Sequence, residues 1–330
     1  MGILILMTTV ALGLIYFGKQ GYKSTIKPKT ISSSTSPNDM YFGEDMEKFK
    51  ILARKKTLEK LVAQLSEDSK PVIAGQPSKP VDNSIDSIIK SNKPLEQKVR
   101  DYLGTKVSKV GIGYYDIETG KGFSVNGDKY FTAASTVKVQ MNMVLFDMVK
   151  EGKVKIGEAL QYNQGDYEAG TGILQGQDKT KPIPLLTLSD YSIIYSDNIA
   201  TNMIIRRIGR TEMKRRFGEK VGHSVPMDKN SVTPNEGMTF LKQLYENKSN
   251  NEYYPRLIGN MKKTVFHDRL DKYVPKDIVA HKIGNYGAFI NDVGIVYAAK
   301  PYVIAVYSEG MPNANEVIAN INKIIYEEHR

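Results

Sequence analysis

The chain has 330 residues, of which 41% are hydrophobic and 25% charged, with a net charge of +10 and no cysteine. That composition excludes a wholly disordered or fibrous chain, and the absence of cysteine excludes disulfides, thiolate metal sites, iron–sulfur clusters and a cysteine nucleophile. The basic excess invites an anionic partner, but it is uneven: the first 106 residues hold 17 basic and 11 acidic side chains, the other 224 hold 29 and 25. Most of the surplus therefore belongs to the N-terminal part, which suits anionic lipid or wall polymer better than nucleic acid.

Gly2 to Gly18 carries no charge and Ile3 to Phe17 is mostly apolar. As a helix it would be about 25 Å long, at the short end for a bilayer span. No small-residue cleavage site follows, so residues 1–23 read as an uncleaved anchor or signal, and the expectation is a single-pass membrane protein with its main domain outside the cytoplasm. Lys19, Lys23, Lys27 and Lys29 follow the span and oppose that orientation by the positive-inside rule. Residues 24–93 read as a tether, mostly disordered, with Ser32 to Pro37, Pro71, Pro77 and Pro80 as breakers. Phe49, Leu52, Leu58, Leu61, Val62 and Leu65 are spaced for a short amphipathic helix near 44–66.

From 94 to 330 the pattern is that of one domain. Leu95 to Leu103 predicts a helix, Val107 to Tyr115 a strand, and Gly122 to Val125 its hairpin partner. A long helical zone is expected from Thr132 to Glu151, followed by several helices up to about Asn247. Thr233-Pro234-Asn235-Glu236 is a capping box with proline at the first helical position. Val279 to Ile283, Asp292 to Ala298 and Tyr302 to Ser308 read as strands, and Asn315 to Glu328 as a last helix. The fold class is therefore α+β: an antiparallel sheet built from both ends of the domain, flanked by helices, with an all-α lobe. Arg206, Arg207, Arg210, Lys214, Arg215 and Arg216 read as a solvated helix face. Gly170, Gly172 and Gly176 lack a phosphate-loop lysine and read as a turn.

His223, His267, His281 and His329 are not paired at ligand spacing, so neither metal nor other cofactor is expected. No G-x-S-x-G elbow is present. Three short motifs remain. Ser135-Thr136-Val137-Lys138 puts a hydroxyl and an amine on one face of a helix N-terminus, where a lysine whose pKa is lowered by burial could take the serine proton. Ser196-Asp197-Asn198 interrupts two apolar helical stretches. Lys282-Ile283-Gly284 ends a strand. Each has a plain alternative: a helix cap for Ser135 or Ser196, a surface lysine for Lys282.

Their order, S-x-x-K then S-D-N then K-x-G, resembles the serine β-lactamase and penicillin-binding-protein superfamily. The flanks Phe131 to Val139, Ser196 to Asn202 and Asn291 to Val296 are similar to class A β-lactamases. The resemblance implies Ser135 as nucleophile, Lys138 as proton-accepting amine, Ser196 as proton relay and Lys282 as carboxylate binder. It further implies that Asn198 orients Lys138 and the substrate amide, and that Gly284 and Asn285 complete the substrate site, with the N–H groups of Ser135 and Asn285 as oxyanion hole. Two departures stand out. The loop glutamate that class A enzymes place before a proline is absent, since Val225 precedes Pro226 and Thr233 precedes Pro234; Asp228 and Glu168 are the nearest candidates for a substitute base. Ile283 replaces the usual hydroxyl residue. The expected function is an acyl-enzyme-forming serine hydrolase acting on β-lactams, with slow deacylation, or on D-Ala peptides of peptidoglycan. The alternatives are a sensor that stays acylated and a non-catalytic wall-binding module.

Overall fold

The computed structural model describes residues 83–330, with side chains from residue 85. The expected anchor over 1–23, the tether and its helix near 44–66 lie outside the described residues. Among the described residues no helix is long and apolar enough to cross a membrane.

The tether boundary expected at 93 is corrected, because Asn83–Lys90 forms a helix, α1. Ile85, Ile88 and Ile89 recur on one face and join the cluster that holds Val99 and Leu103 of α2 (Leu95–Leu103). Burying that stripe orders a segment whose prolines and serines read as spacer. Lys98 fastens the pair, donating to the Ile89 carbonyl at 2.8 Å and to Glu328 at 2.5 Å.

The expected hairpin is present as β1 (Val110–Asp116) and β2 (Gly122–Val125), with Ile112 opposite Val125. The strand pair β3 (Phe131–Thr132) and β6 (Ser231–Val232) is short. It displaces the start of the next helix from Thr132 to Val137, since residues 131–132 are spent on pairing and Ala134–Thr136 form a tight turn. That helix, α3 (Val137–Lys150), is apolar on nearly every face and is buried accordingly. A second short ladder joins β4 (Ala159–Leu160) and β5 (Ile183–Pro184). The helical lobe continues with α4 (Leu185–Ile194), α5 (Asn198–Ile208) and α6 (Arg210–Val221). Next comes α7 (Pro234–Glu246), started by the expected capping box at Thr233 and Glu236, and α8 (Tyr254–Lys262) follows.

Three long strands, β7 (Val279–Tyr286), β8 (Phe289–Val296) and β9 (Tyr302–Ser308), complete an antiparallel sheet in the order β2-β1-β9-β8-β7. Strand β9 pairs with β1, so both ends of the domain share one sheet. Side chains alternate along β9: Tyr302, Ile304 and Val306 face the cluster of α2 and α9 (Ala314–Tyr326), while Val303, Ala305 and Tyr307 face that of the helical lobe. Helices thus cover both faces, and all seven β9 residues are buried. The basic run on α5 and α6 is not simply solvated. Arg206 pairs with Asp166, Arg207 with Glu158, and Arg216, only 8% exposed, with Glu151 and Glu212.

Candidate active site

Six described non-glycine residues have positive φ. Four are asparagines, which tolerate that region; the other two are Ala134 (φ 50°) and Ser196 (φ 53°). Strain of this kind persists only where neighbours hold it, and here it marks the turns carrying Ser135 and the S-D-N motif. The Ser135 turn is pinned from two sides. Asn291 of β8 donates to the Thr132 and Ala133 carbonyls at 2.9 and 3.2 Å, and Asn230 donates to the Ala134 carbonyl at 3.2 Å. Strand β7 runs directly across the turn: a Cβ on Gly284 would lie 2.7 Å from the Ala133 carbonyl oxygen and 3.0 Å from the Ser135 nitrogen. Glycine is required at 284 by that approach.

Asp197, not Ser196, caps α5. Its buried carboxylate accepts from the Ala200 nitrogen at 2.9 Å and, across the gap, from the Leu174 nitrogen at 2.8 Å. The glycine stretch is more than a turn. A Cβ on Gly172, at φ 125°, would stand 2.4 Å from Asp197 Cγ. The loop therefore lies on the motif, with Thr171 Oγ1 donating to the Ser196 carbonyl at 2.7 Å and Asn198 Nδ2 to the Ala169 carbonyl at 3.2 Å. Asp197→Ala removes a cap and strands a buried N–H, at a cost of about 2–4 kcal/mol. The expected result is a correspondingly lower midpoint in urea unfolding; an unchanged midpoint contradicts the clamp.

Freed of capping, Ser196 presents its hydroxyl to two lysines. Lys282 Nζ donates to Ser196 Oγ at 2.9 Å and to the Ile283 carbonyl at 2.9 Å. Lys138 Nζ lies 3.3 Å from the same Oγ and donates to the Ser196 carbonyl and to Asn198 Oδ1, each at 2.7 Å. Ser135 Oγ is not among those partners. Both amines are buried. Burial lowers Lys138 to about 8, partly offset by Glu168 and Asp197. Burial and the charge of Lys138 hold Lys282 well below its usual range. Lys282 is thus no surface lysine. Ser135 is half-buried and Asn285 exposed. The sequence motifs converge, and Asn230, Asn291 and Thr171, which the motifs did not single out, hold them in place.

The two substitute carboxylates differ. Glu168 is exposed, accepts from Asn202 Nδ2 at 2.9 Å and bears on the Lys138 amine. Asp228 is exposed and bears instead on Lys214. Val225 packs against the core.

A model of the "Beta-lactamase enzyme family" matches residues 94–329. The β-lactamase SME-1 of Serratia marcescens is 26% identical over 271 residues, 73% of this chain and 89% of that protein. A β-lactamase of Bacillus licheniformis is 29% identical over 223 residues, 61% and 71% of the two chains. Among solved structures, the L158E mutant of PBP-A, an acyl-enzyme complex with penicillin G, superposes with a TM-score of 0.65 at 26% identity, covering 71% of this chain and 95% of that one. The chain belongs to the β-lactamase enzyme family, within the serine β-lactamase and penicillin-binding-protein superfamily.

Proposed function

We propose that the domain forms an acyl-enzyme at Ser135 with β-lactams and releases it slowly. The observation that carries this reading is the convergence of Lys138 and Lys282 on Ser196 Oγ beside the pinned Ser135 turn. In the proposed reaction Ser135 Oγ attacks the lactam carbonyl, and its proton passes to the neutral Lys138 amine. The C–N bond breaks, and the leaving nitrogen takes a proton through Ser196. Lys282 holds the substrate carboxylate, whose negative charge favours the ammonium form that burial disfavours. Ile283 adds no hydroxyl to that contact. Asn198 fixes Lys138 and the substrate amide, while the N–H groups of Ser135 and Asn285 face the developing oxyanion.

Release needs a base to activate water. In residues 223–234 the only carboxylate is Asp228, which is exposed and bears on Lys214. Loss of a general base costs about 10²–10⁴ in rate. The reading therefore includes persistence of the acyl group; that this fold takes an acyl group from penicillin G is supported by the complex of the L158E mutant of PBP-A. D-Ala peptides of peptidoglycan present an equivalent carbonyl and carboxylate and are the second substrate class. The expected anchor over 1–23 would hold the domain outside the membrane near the wall; membrane fractionation of the full chain with and without those residues tests it, and an unchanged soluble fraction rejects it.

Nitrocefin tests the main reading. The expected trace is a burst equal to the enzyme concentration, then a steady rate at least about 100-fold slower. Rapid linear turnover without a burst rejects slow release, and no Ser135-dependent reaction with nitrocefin or penicillin leaves a wall-binding module.

A further inference from the structure

Behind the site, His267 and His281, 14 positions apart and unpaired by spacing, fold to a ring separation of 6.4 Å. Between them stands Asp271. His267 Nδ1 touches Asp271 Oδ2, and His281 Nε2 lies 3.5 Å from the same oxygen. One ligand atom from each residue falls within 4.8 Å of the others. His281 and Asp271 are each 1% exposed, and His281 Nε2, on the cluster side of its ring, has no hydrogen-bond partner. Buried polar atoms without a hydrogen bond are uncommon, and one standing in a cluster of ligand-type side chains calls for a ligand.

We propose that His267, Asp271 and His281 bind a divalent transition metal of the zinc class. Metal–ligand distances of about 2.0–2.2 Å put tetrahedral ligands about 3.3–3.6 Å apart, which the His281–Asp271 separation already meets. The contact of His267 with Asp271 must open, and His267 can move because 37% of its side chain is exposed. Its exposure also supplies the entry path and leaves a fourth position to solvent. Asp292 accepts from His281 Nδ1 at 2.9 Å, which fixes the ring with Nε2 toward the metal, as carboxylates do behind ligating histidines. The site joins the loop before β7 to the strand bearing Lys282, and Phe266, next to His267, faces the Lys282 ammonium at 5.8 Å. Nothing in the proposal depends on chemistry at Ser135.

A protonated His281 held between Asp271 and Asp292 would need no help from His267, so His267→Ala separates the two arrangements. The full chain is stripped with chelator and titrated with Zn²⁺ by calorimetry and with Co²⁺ by visible absorption. One equivalent of Zn²⁺ is expected to bind, raising Tm by about 5–10 °C at a hundredfold excess over Kd, with four-coordinate Co²⁺ bands. His267→Ala should lose about 100-fold or more in affinity, beyond a metal-free Tm lowered by a few degrees through the lost Asp271 contact; His223→Ala should lose no affinity. No saturable binding, or equal binding by His267→Ala, overturns the proposal.

Discussion

Alanine at position 135 will leave the chain folded and unable to take a covalent label from a fluorescent penicillin. Ser135 is half-buried in a turn held by Asn230 and Asn291, neither of which uses its hydroxyl, so the substitution removes the nucleophile and little else. Labelling should fall by more than about 10³-fold, since removing an attacking group eliminates the covalent route rather than slowing it. Thermal unfolding should move by about 2 °C or less, because no buried polar group is stranded. Labelling that survives in Ser135→Ala would place the nucleophile elsewhere.

Methionine at position 138 should slow acylation by about 10²–10⁴-fold and remove its pH dependence. The sign follows from burial. Desolvation disfavours the Lys138 ammonium and lowers its pKa to about 8, so below that pH the amine is charged and cannot take the Ser135 proton. Acylation by the native chain should rise about tenfold per unit up to pH 8 and level off above it. Lys138→Arg should behave like the methionine variant, because a guanidinium stays charged. The same shift affects stability. Between about pH 8 and the unfolded lysine value the unfolded chain binds more protons, so this group adds stability as pH rises through that window. A pH–rate profile identical in Lys138→Met and the native chain would exclude the amine as the proton acceptor.

Much of the fold was legible because its signals are local. The hairpin at Val110–Val125 follows from alternation and turn residues, strand β9 from its unbroken apolar run, and α7 begins where a capping box with proline requires it. The candidate site was legible as an order of motifs, which the fold brings together. What escaped the sequence depends on contacts between distant segments. Helix α1 is stable only through α2 and α9, which no feature of residues 83–90 announces. Gly172 is fixed by Asp197, 25 positions later, and the pinning by Asn230 and Asn291 needs the strand pairing to be known. The helix cap that stood as the plain alternative for Ser196 belongs instead to its neighbour Asp197. The meeting of His267 and His281 arises from a loop folding onto β7, which spacing rules for metal ligands do not cover.

A time course of intact protein mass after mixing with penicillin G tests the central claim most directly. Formation within seconds of a single adduct of one penicillin mass, persisting for many minutes and absent from Ser135→Ala, is the predicted result. A native chain that consumes penicillin with no accumulating adduct, or an adduct retained in Ser135→Ala, would contradict it.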